Sequence, residues 1–211
     1  AAFAEHGGVD CVLEKMVDLR GEISVIVCRL NNENVQTFDP AENIHENGIL
    51  AYSIVPARLS ADVQQQARQI AQRLADELDY VGVLAVEIFV VGDTHELVVN
   101  EIAPRPHNSG HHTLDACAAD QFQQQVRIMC NLPPADTKLL SSCCMANILG
   151  DVWQEDGGEP NWLPLQSHPN AHLHLYGKKA ARKGRKMGHF TVLAADADAA
   201  LQQSQKLRSL L

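Results

Sequence analysis

Among the 211 residues, no apolar run approaches the roughly twenty that a membrane helix requires. No signal peptide opens the chain, and the expectation is a cytoplasmic protein without a membrane partner. CxxC and HExxH spacings are absent, as is a GxGxxG turn. A metal knuckle, a local zinc frame and a dinucleotide fingerprint therefore have no support. The six cysteines (Cys11, Cys28, Cys117, Cys130, Cys143, Cys144) are scattered and read as reduced, mostly buried thiols. Basic residues are scarce, 17 against 26 acidic, for a net charge of −9, which speaks against general nucleic-acid binding. An initiator Met is also lacking: Ala1-Ala2-Phe3-Ala4-Glu5 reads as the inside of a helix, so a fragment is expected.

What is present is 45% hydrophobic residues, enough for a core without disulfides. Val9 to Val17 has a short strand pattern broken by Glu14-Lys15. Gly21 to Leu30 is β-branched, and Asn31 to Asn34 turns the chain into Val35 to Phe38. Ile49 to Val55 is a further strand ended by Pro56, so the first stretch reads as an antiparallel meander. Ser60 caps a helix whose apolar stripe is Val63, Ala67, Ile70, Ala71, Leu74 and Leu78. Gly82–Val91 and Glu96–Ile102 form a hairpin about Gly92 to His95. A second helix is expected over about Leu114–Met129, and Asn131 to Asp136 reads as a boundary. Short strands follow at Cys144–Leu149, Ala171–Tyr176 and Gly188–Leu193, then a terminal helix from about Asp196. The expectation is an α+β chain in two parts: a lobe over 1–135 and a small β-rich module over 136–211.

The sharpest chemical signal is a pair of carboxylates. Val83, Ala85, Glu87 and Phe89 share one strand face, and on the returning strand Leu97, Val99 and Glu101 share another. If the turn centres on Thr94, Glu87 lies opposite Glu101 with Cβ atoms about 5 Å apart. Two anions so placed in an apolar sheet repel and lose hydration. Either a pKa rises or a cation sits between them, and Mg²⁺ suits one or two carboxylates plus substrate phosphates. Asn100 adds a hard oxygen only if the strand is bulged there. In the alternative register one or both carboxylates face solvent.

The run after the hairpin, Glu101-Ile102-Ala103-Pro104-Arg105-Pro106-His107-Asn108-Ser109-Gly110-His111-His112-Thr113, is stiffened by two prolines and rich in donors. It reads as an anion-binding loop, with Thr113 placed to cap the next helix and Asp115 favouring that helix's N-terminus. Six cations fall between Lys178 and Lys186, and the remaining 11 basic against 26 acidic residues leave −15 on the rest. A phosphate clamp accounts for this concentration, a solvated basic loop being the plainer alternative. His172 and His174 alternate on one strand face and read as ordinary sheet residues.

The runs Asn100-Glu101-Ile102-Ala103-Pro104-Arg105-Pro106-His107-Asn108-Ser109-Gly110-His111 and Val81 to Val90 resemble the ATP-grasp 5-(carboxyamino)imidazole ribonucleotide synthases. Leu13 to Val17 with Gly21-Glu22, Glu42 to Leu50, and Gly184 to His189 match in the same order. The resemblance implies the C-terminal lobe of an ATP-grasp fold followed by the β-rich module. It implies a carboxylating ligase acting on aminoimidazole ribonucleotide and bicarbonate with ATP and Mg²⁺, in purine biosynthesis. By that resemblance Glu14, Lys15, Met16 and Val17 hold adenine. Glu22 takes the ribose, His45 and Asn100 touch the nucleotide, and Glu87 and Glu101 ligate the metal. Arg105, His107, Asn108 and Ser109 line the bicarbonate site, while Lys178 and Arg185 hold the ribonucleotide phosphate. The resemblance also implies a homodimer in the complete enzyme. The preceding family domain and half of the grasp are not in this chain, so it is expected to be inactive alone. Another ATP-grasp ligase, or a nucleotide-binding remnant without turnover, are the competing readings.

Overall fold

In the computed structural model, residues 2–5, 7–153 and 158–211 are described. The β-branched run becomes the long strand β1 (Leu19–Asn31), followed by β2 (Asn34–Thr37), β3 (Ala41–Glu46) and β4 (Ile49–Val55). Helix α2 (Ala61–Glu77) precedes the hairpin β5 (Gly82–Val91) and β6 (Glu96–Ala103). Then come α3 (Thr113–Ala116), α4 (Gln121–Met129), β7 (Ser142–Leu149), α5 (Leu163–Gln166), β8 (Ala171–Leu175), β9 (Lys186–Ala194) and α6 (Ala197–Arg208). A single turn, α1 (Ala2–Glu5), opens the described chain, and Ala1 of the expected helix lies outside the described residues.

Among the described residues, nine strands join one antiparallel sheet in the order β6-β5-β1-β3-β4-β7-β9-β8, with β2 paired to β1. The β4–β7 ladder, Tyr52↔Ala146 to Val55↔Cys143, carries the sheet across the Asn131–Asp136 coil without a break.

The two faces of this sheet differ in chemistry. On one, Ile23, Val25 and Val27 of β1 and Leu84, Val86, Ile88 and Val90 of β5 pack on the alanines of α2. Farther along the same face, Ile54, Cys144, Ala146, Phe190 and Val192 pack on Ala200 and Leu207 of α6. Ala67, Ala71 and Ala75 let the α2 backbone approach the strands closely, which is why its buried stripe is small. Helix α4 covers part of the opposite face, where Ile26, Cys28, Val83 and Ala85 meet Ile128. The remainder of that face is polar, and alternation brings Glu22, Ser24, Glu87, Asn43, Ser53, Asn147 and His189 to it.

Several expectations are corrected. Residues 9–18 form no strand: the pattern has no partner edge, and an unpaired extended segment gains no ladder. The early meander is instead a crossover arrangement in which β1 lies between β5 and β3. The β3 strand went unread because Ala41-Glu42-Asn43-Ile44-His45-Glu46 is mostly polar. The helix expected over Leu114–Met129 breaks at Cys117, whose extended backbone pairs with Leu139, and α4 restarts behind an Asp120 cap. Thr113 contributes there, its hydroxyl accepting from Gln121 N at 3.1 Å. Of the thiols, Cys28, Cys143 and Cys144 are buried, whereas Cys11 and Cys130 are exposed; all six are free. Burial pushes the Cys144 and Cys117 thiols up to about 12, so neither is a nucleophile at neutral pH.

Candidate active site

The carboxylate pair forms by a route that alternation alone does not describe. From the turn inward the hairpin pairs Val91↔Glu96, Val90↔Leu97, Phe89↔Val98 and Ile88↔Val99. Continued regularly, that ladder would set Asn100 against Glu87 and turn Glu101 toward α2. The register shifts after Ile88, Asn100 becomes the extra residue of a bulge, and Glu101 pairs with Glu87, followed by Ile102↔Val86 and Ala103↔Ala85. Leu97 and Val99 therefore point to the α2 side, and they do not share the face of Glu101 as expected from simple alternation. The bulge sets Asn100 and Glu101 together opposite Glu87, at the polar face.

A second bulge does the same at the other end of the site. β7 and β9 pair as Ile148↔Gly188 and then Leu149↔Lys186, leaving Met187 as the extra residue. Strict alternation from Gly188 would send Lys186 toward α6; the bulge sends it to the polar face instead. There a cavity of about 640 Å³ is lined by Glu87, Glu101, His107, His45, Asn43, Lys178 and Lys186, among others.

The electrostatics follow from this enclosure. Burial, then the neighbouring Glu101 and Glu22 charges, raise the Glu87 carboxyl above its ordinary range. Lys186 is lowered by burial, against the attraction of Glu87. His107 Nε2 lies 3.2 Å from Glu87 Oε1. Burial and the nearby Arg105 and Lys186 charges lower His107 to about 4, so it stands neutral beside the carboxylate at pH 7. His45 Nδ1 meets Glu22 Oε2 at 3.1 Å on the adjoining rim.

The loop between β6 and α3 is held from below. Gln121 Nε2 donates to His107 O and its Oε1 accepts from His107 N, both at 2.8 Å. Asn108 exchanges side-chain hydrogen bonds with Asn147 of β7, and Asn147 also donates to Leu50 O. Gly110 admits no side chain, because an added Cβ would stand 2.7 Å from Gln121 Oε1.

Not every expected residue comes to the cavity. Glu14, Lys15 and Met16 lie exposed in an extended segment and Val17 is half-buried. Arg105 is exposed with its guanidinium donating to Pro106 O, while Ser109 is fully buried beneath His107. Arg185 donates to Ala180 O at 2.7 Å and is not among the cavity's lining residues, whereas Lys178 is, its ammonium donating to Lys186 O. Of the basic cluster, Lys178 and Lys186 face the carboxylates.

Sequence reasoning missed Lys186 as a site residue, along with Asn43, Ser24, Ser53 and Asn147. For Ser24, Ser53 and Asn147 the signal was a polar residue inside an otherwise apolar strand, whereas the polar β3 hid Asn43 and the Met187 bulge took Lys186 off the alternation. Asp115 stands in the first turn of α3 as expected, and it also accepts from His174 Nε2 at 3.0 Å with both oxygens, which raises the His174 pKa. Asp115, His174 and His189 each bring a ligand atom within 4.8 Å of the others. The His174 and His189 rings, however, stack at 4.6 Å and 15°. Nitrogen lone pairs lie in the ring plane, so stacked rings present them side by side, and no common point is available to a tetrahedral ion.

Residues 1–122 match the ATP-grasp domain family. The chain belongs to the ATP-grasp family. Residues 143–203 match the phosphoribosylaminoimidazole carboxylase C-terminal domain. The N5-carboxyaminoimidazole ribonucleotide synthase of Bacillus subtilis (strain 168) is 49% identical over 203 residues, 96% of this chain and 51% of that protein. The crystal structure of N5-carboxyaminoimidazole ribonucleotide synthetase from Thermus thermophilus superposes with a TM-score of 0.88 at 36% identity. It covers 100% of this chain and 56% of that one. The synthase of Aspergillus clavatus in complex with ADP and 5-aminoimidazole ribonucleotide gives a TM-score of 0.86 at 33% identity, over 99% of this chain and 56% of that one. The chain thus spans about half the length of the relatives it matches.

Within this ATP-grasp chain the donor set fits a hard divalent cation. Glu87 and Glu101 line one cavity, with the bulge residue Asn100 next to Glu101 in the chain, and the half-buried Glu87 carries a desolvation cost that a cation reached from the exposed Glu101 side would offset. No helix among the described residues is long and apolar enough to cross a membrane.

Proposed function

We propose that this chain supplies the metal-binding and carboxylate-activating side of a ligase. The reaction joins bicarbonate to the exocyclic amine of aminoimidazole ribonucleotide at the expense of ATP. The observation that carries the reading is the bulge-set pairing of Glu101 with Glu87, in one cavity with Lys178, Lys186 and His107. Glu87, Glu101 and Asn100 would hold Mg²⁺, which neutralises phosphate charge when bound. A bicarbonate oxygen attacks the γ-phosphorus, ADP leaves, and carboxyphosphate forms. The amine nitrogen then bonds to the carboxyl carbon, phosphate leaves, and the amine loses a proton.

In this reading Lys186 and Lys178 attract the phosphates, and neutral His107 presents a polar ring edge where negative charge develops. Arg105 and Asn108 complete the bicarbonate loop, Asn108 being fixed by Asn147. Glu22 and His45 would meet the ribose, and Glu14–Val17 the adenine. Arg185 would have to leave Ala180 O to join Lys178 on the ribonucleotide phosphate. The division at 135/136, a homodimeric complete enzyme and a cytoplasmic setting belong to the same proposal. It is supported by the two family matches, which fall on either side of the Asn131–Asp136 coil.

The test is bicarbonate-dependent ADP release by the complete protein, with and without aminoimidazole ribonucleotide. Stimulation by that ribonucleotide, abolished in Glu101→Gln with the fold retained, is the expected result. Release indifferent to both the ribonucleotide and the substitution would refute the assignment.

A further inference from the structure

Along the cavity floor, with Asn43 and His107 reaching its surface, a continuous row of polar side chains crosses three strands and enters the loop after β6. Ser53 Oγ donates to Asn43 Oδ1 at 2.9 Å, and Asn43 Nδ2 donates to Ser24 Oγ at 3.0 Å. Ser24 Oγ donates to Ser109 Oγ at 2.7 Å, and Ser109 Oγ meets His107 Nδ1 at 2.9 Å. The row is buried: Ser53 and Ser109 are 0% exposed, Ser24 1% and Asn43, at the cavity, 8%. Polar groups in such a place persist only when they are satisfied.

The chain has a direction. An amide nitrogen only donates, so Ser24 Oγ receives from Asn43 and spends its single hydrogen on Ser109. Ser109 Oγ, already an acceptor, has its own hydrogen left for Nδ1. The backbone N–H of Ser109, also a pure donor, reaches the same Nδ1 at 3.4 Å. Nδ1 is therefore an acceptor, and the ring proton resides on Nε2, which faces Glu87 Oε1 at 3.2 Å. In the reverse direction Nδ1 would hold the proton, and the Nε2 lone pair would oppose a carboxylate oxygen.

We propose that Asn43 and Ser24 are positioning residues: through Ser109 they lock His107 in its Nε2-protonated tautomer, so that a fixed N–H faces Glu87 in the cavity. The purpose of that N–H, to stabilise an oxyanion during phosphate transfer, rests on the proposed function; the tautomer itself does not.

The tautomer is read directly from two-bond ¹H–¹⁵N correlations of histidine-labelled chain, with His107 assigned by its loss in His107→Gln. The unsubstituted chain is expected to show the downfield shift of an unprotonated nitrogen at Nδ1. Ser24→Ala cuts the row, frees the Ser109 hydroxyl to turn, and leaves only the long 3.4 Å contact from Ser109 N–H to hold Nδ1 as an acceptor, so the two His107 nitrogens are expected to move toward exchange-averaged positions. Asn43→Asp replaces the donor with an acceptor and is expected to shift the proton toward Nδ1. Should Asn43→Asp not fold, Ser24→Ala, which removes one buried oxygen, still decides. A protonated Nδ1 in the unsubstituted chain, or unchanged shifts in Ser24→Ala, would overturn the proposal. In the complete protein, Ser24→Ala is expected to lower kcat on the order of tenfold with KM for ATP unchanged. Averaged shifts with unaltered kcat would uphold the lock and count against the phosphate-transfer reading instead.

Discussion

Three histidines beneath the site make the fold sensitive to acid in a calculable way. His111 and His112 are lowered by burial to about 4, and His189 to about 2. Each is a base whose folded pKa lies below its ordinary value of 6.5, so between those limits the unfolded chain binds more protons than the folded one. Stability is full above about pH 6.5 and falls as the pH drops, by up to about 1.4 kcal/mol per pH unit for each ring. At pH 5 each costs about 2 kcal/mol, and three together approach the whole stability of an ordinary domain. His174, raised by Asp115, works in the opposite direction and recovers part of this. His112 isolates the effect. Its Nδ1 pairs with Ser109 O at 2.9 Å while its Nε2 is buried without a partner. His112→Asn keeps a donor to that carbonyl and removes the titration. Urea unfolding at pH 7.5 and pH 5 should show a loss of stability in both proteins, smaller by about 2 kcal/mol in the variant. Equal losses in the two would refute the claim that this ring is held neutral by burial.

Three further outcomes are expected. Deleting Asn100 removes the bulge residue yet leaves Glu101 opposite Glu87 in a regular ladder, so the chain should fold and bind Mg²⁺ more weakly, as read by titration calorimetry; failure to fold would mean that the bulge holds the hairpin together. Ala71→Leu overfills the α2–sheet contact, where Ala71 is 0% exposed, and should cost about 1–3 kcal/mol in thermal or urea unfolding. Arg29 is buried and binds Tyr80 O and the solvent-exposed Asp76 and Asp79, so Arg29→Ala should destabilise by about 1–2 kcal/mol in urea unfolding, through lost packing of its stem and the lost bond to Tyr80 O rather than through the carboxylates, which stay hydrated.

Local chemistry made much of the fold readable. Strand Ile49–Val55, the Ser60 cap, the hairpin about Gly92 to His95 and the Asp196 cap of the last helix were each fixed by neighbours in sequence. The β3 strand was not readable, because a central strand usually advertises itself by apolar residues on both faces. Here one face is the site, so Asn43 and His45 disguise it as a loop. Helix α4 was drawn too long because the Cys117–Leu139 bridge that interrupts it joins residues distant in the chain.

By itself the sequence carried the family resemblance and singled out the Glu87/Glu101 pair, while Lys186, Asn43 and Asn147 went unnoticed. It settled that Glu87 stands in a buried strand with Glu101 on the strand returning to it. Only the tertiary structure decided which way Asn100, Glu101 and Lys186 point. Side-chain direction alternates along a strand, and one extra residue in either partner reverses it. Bulges at Asn100 and Met187 are settled by how whole strands dock, and no local preference in the sequence reports them.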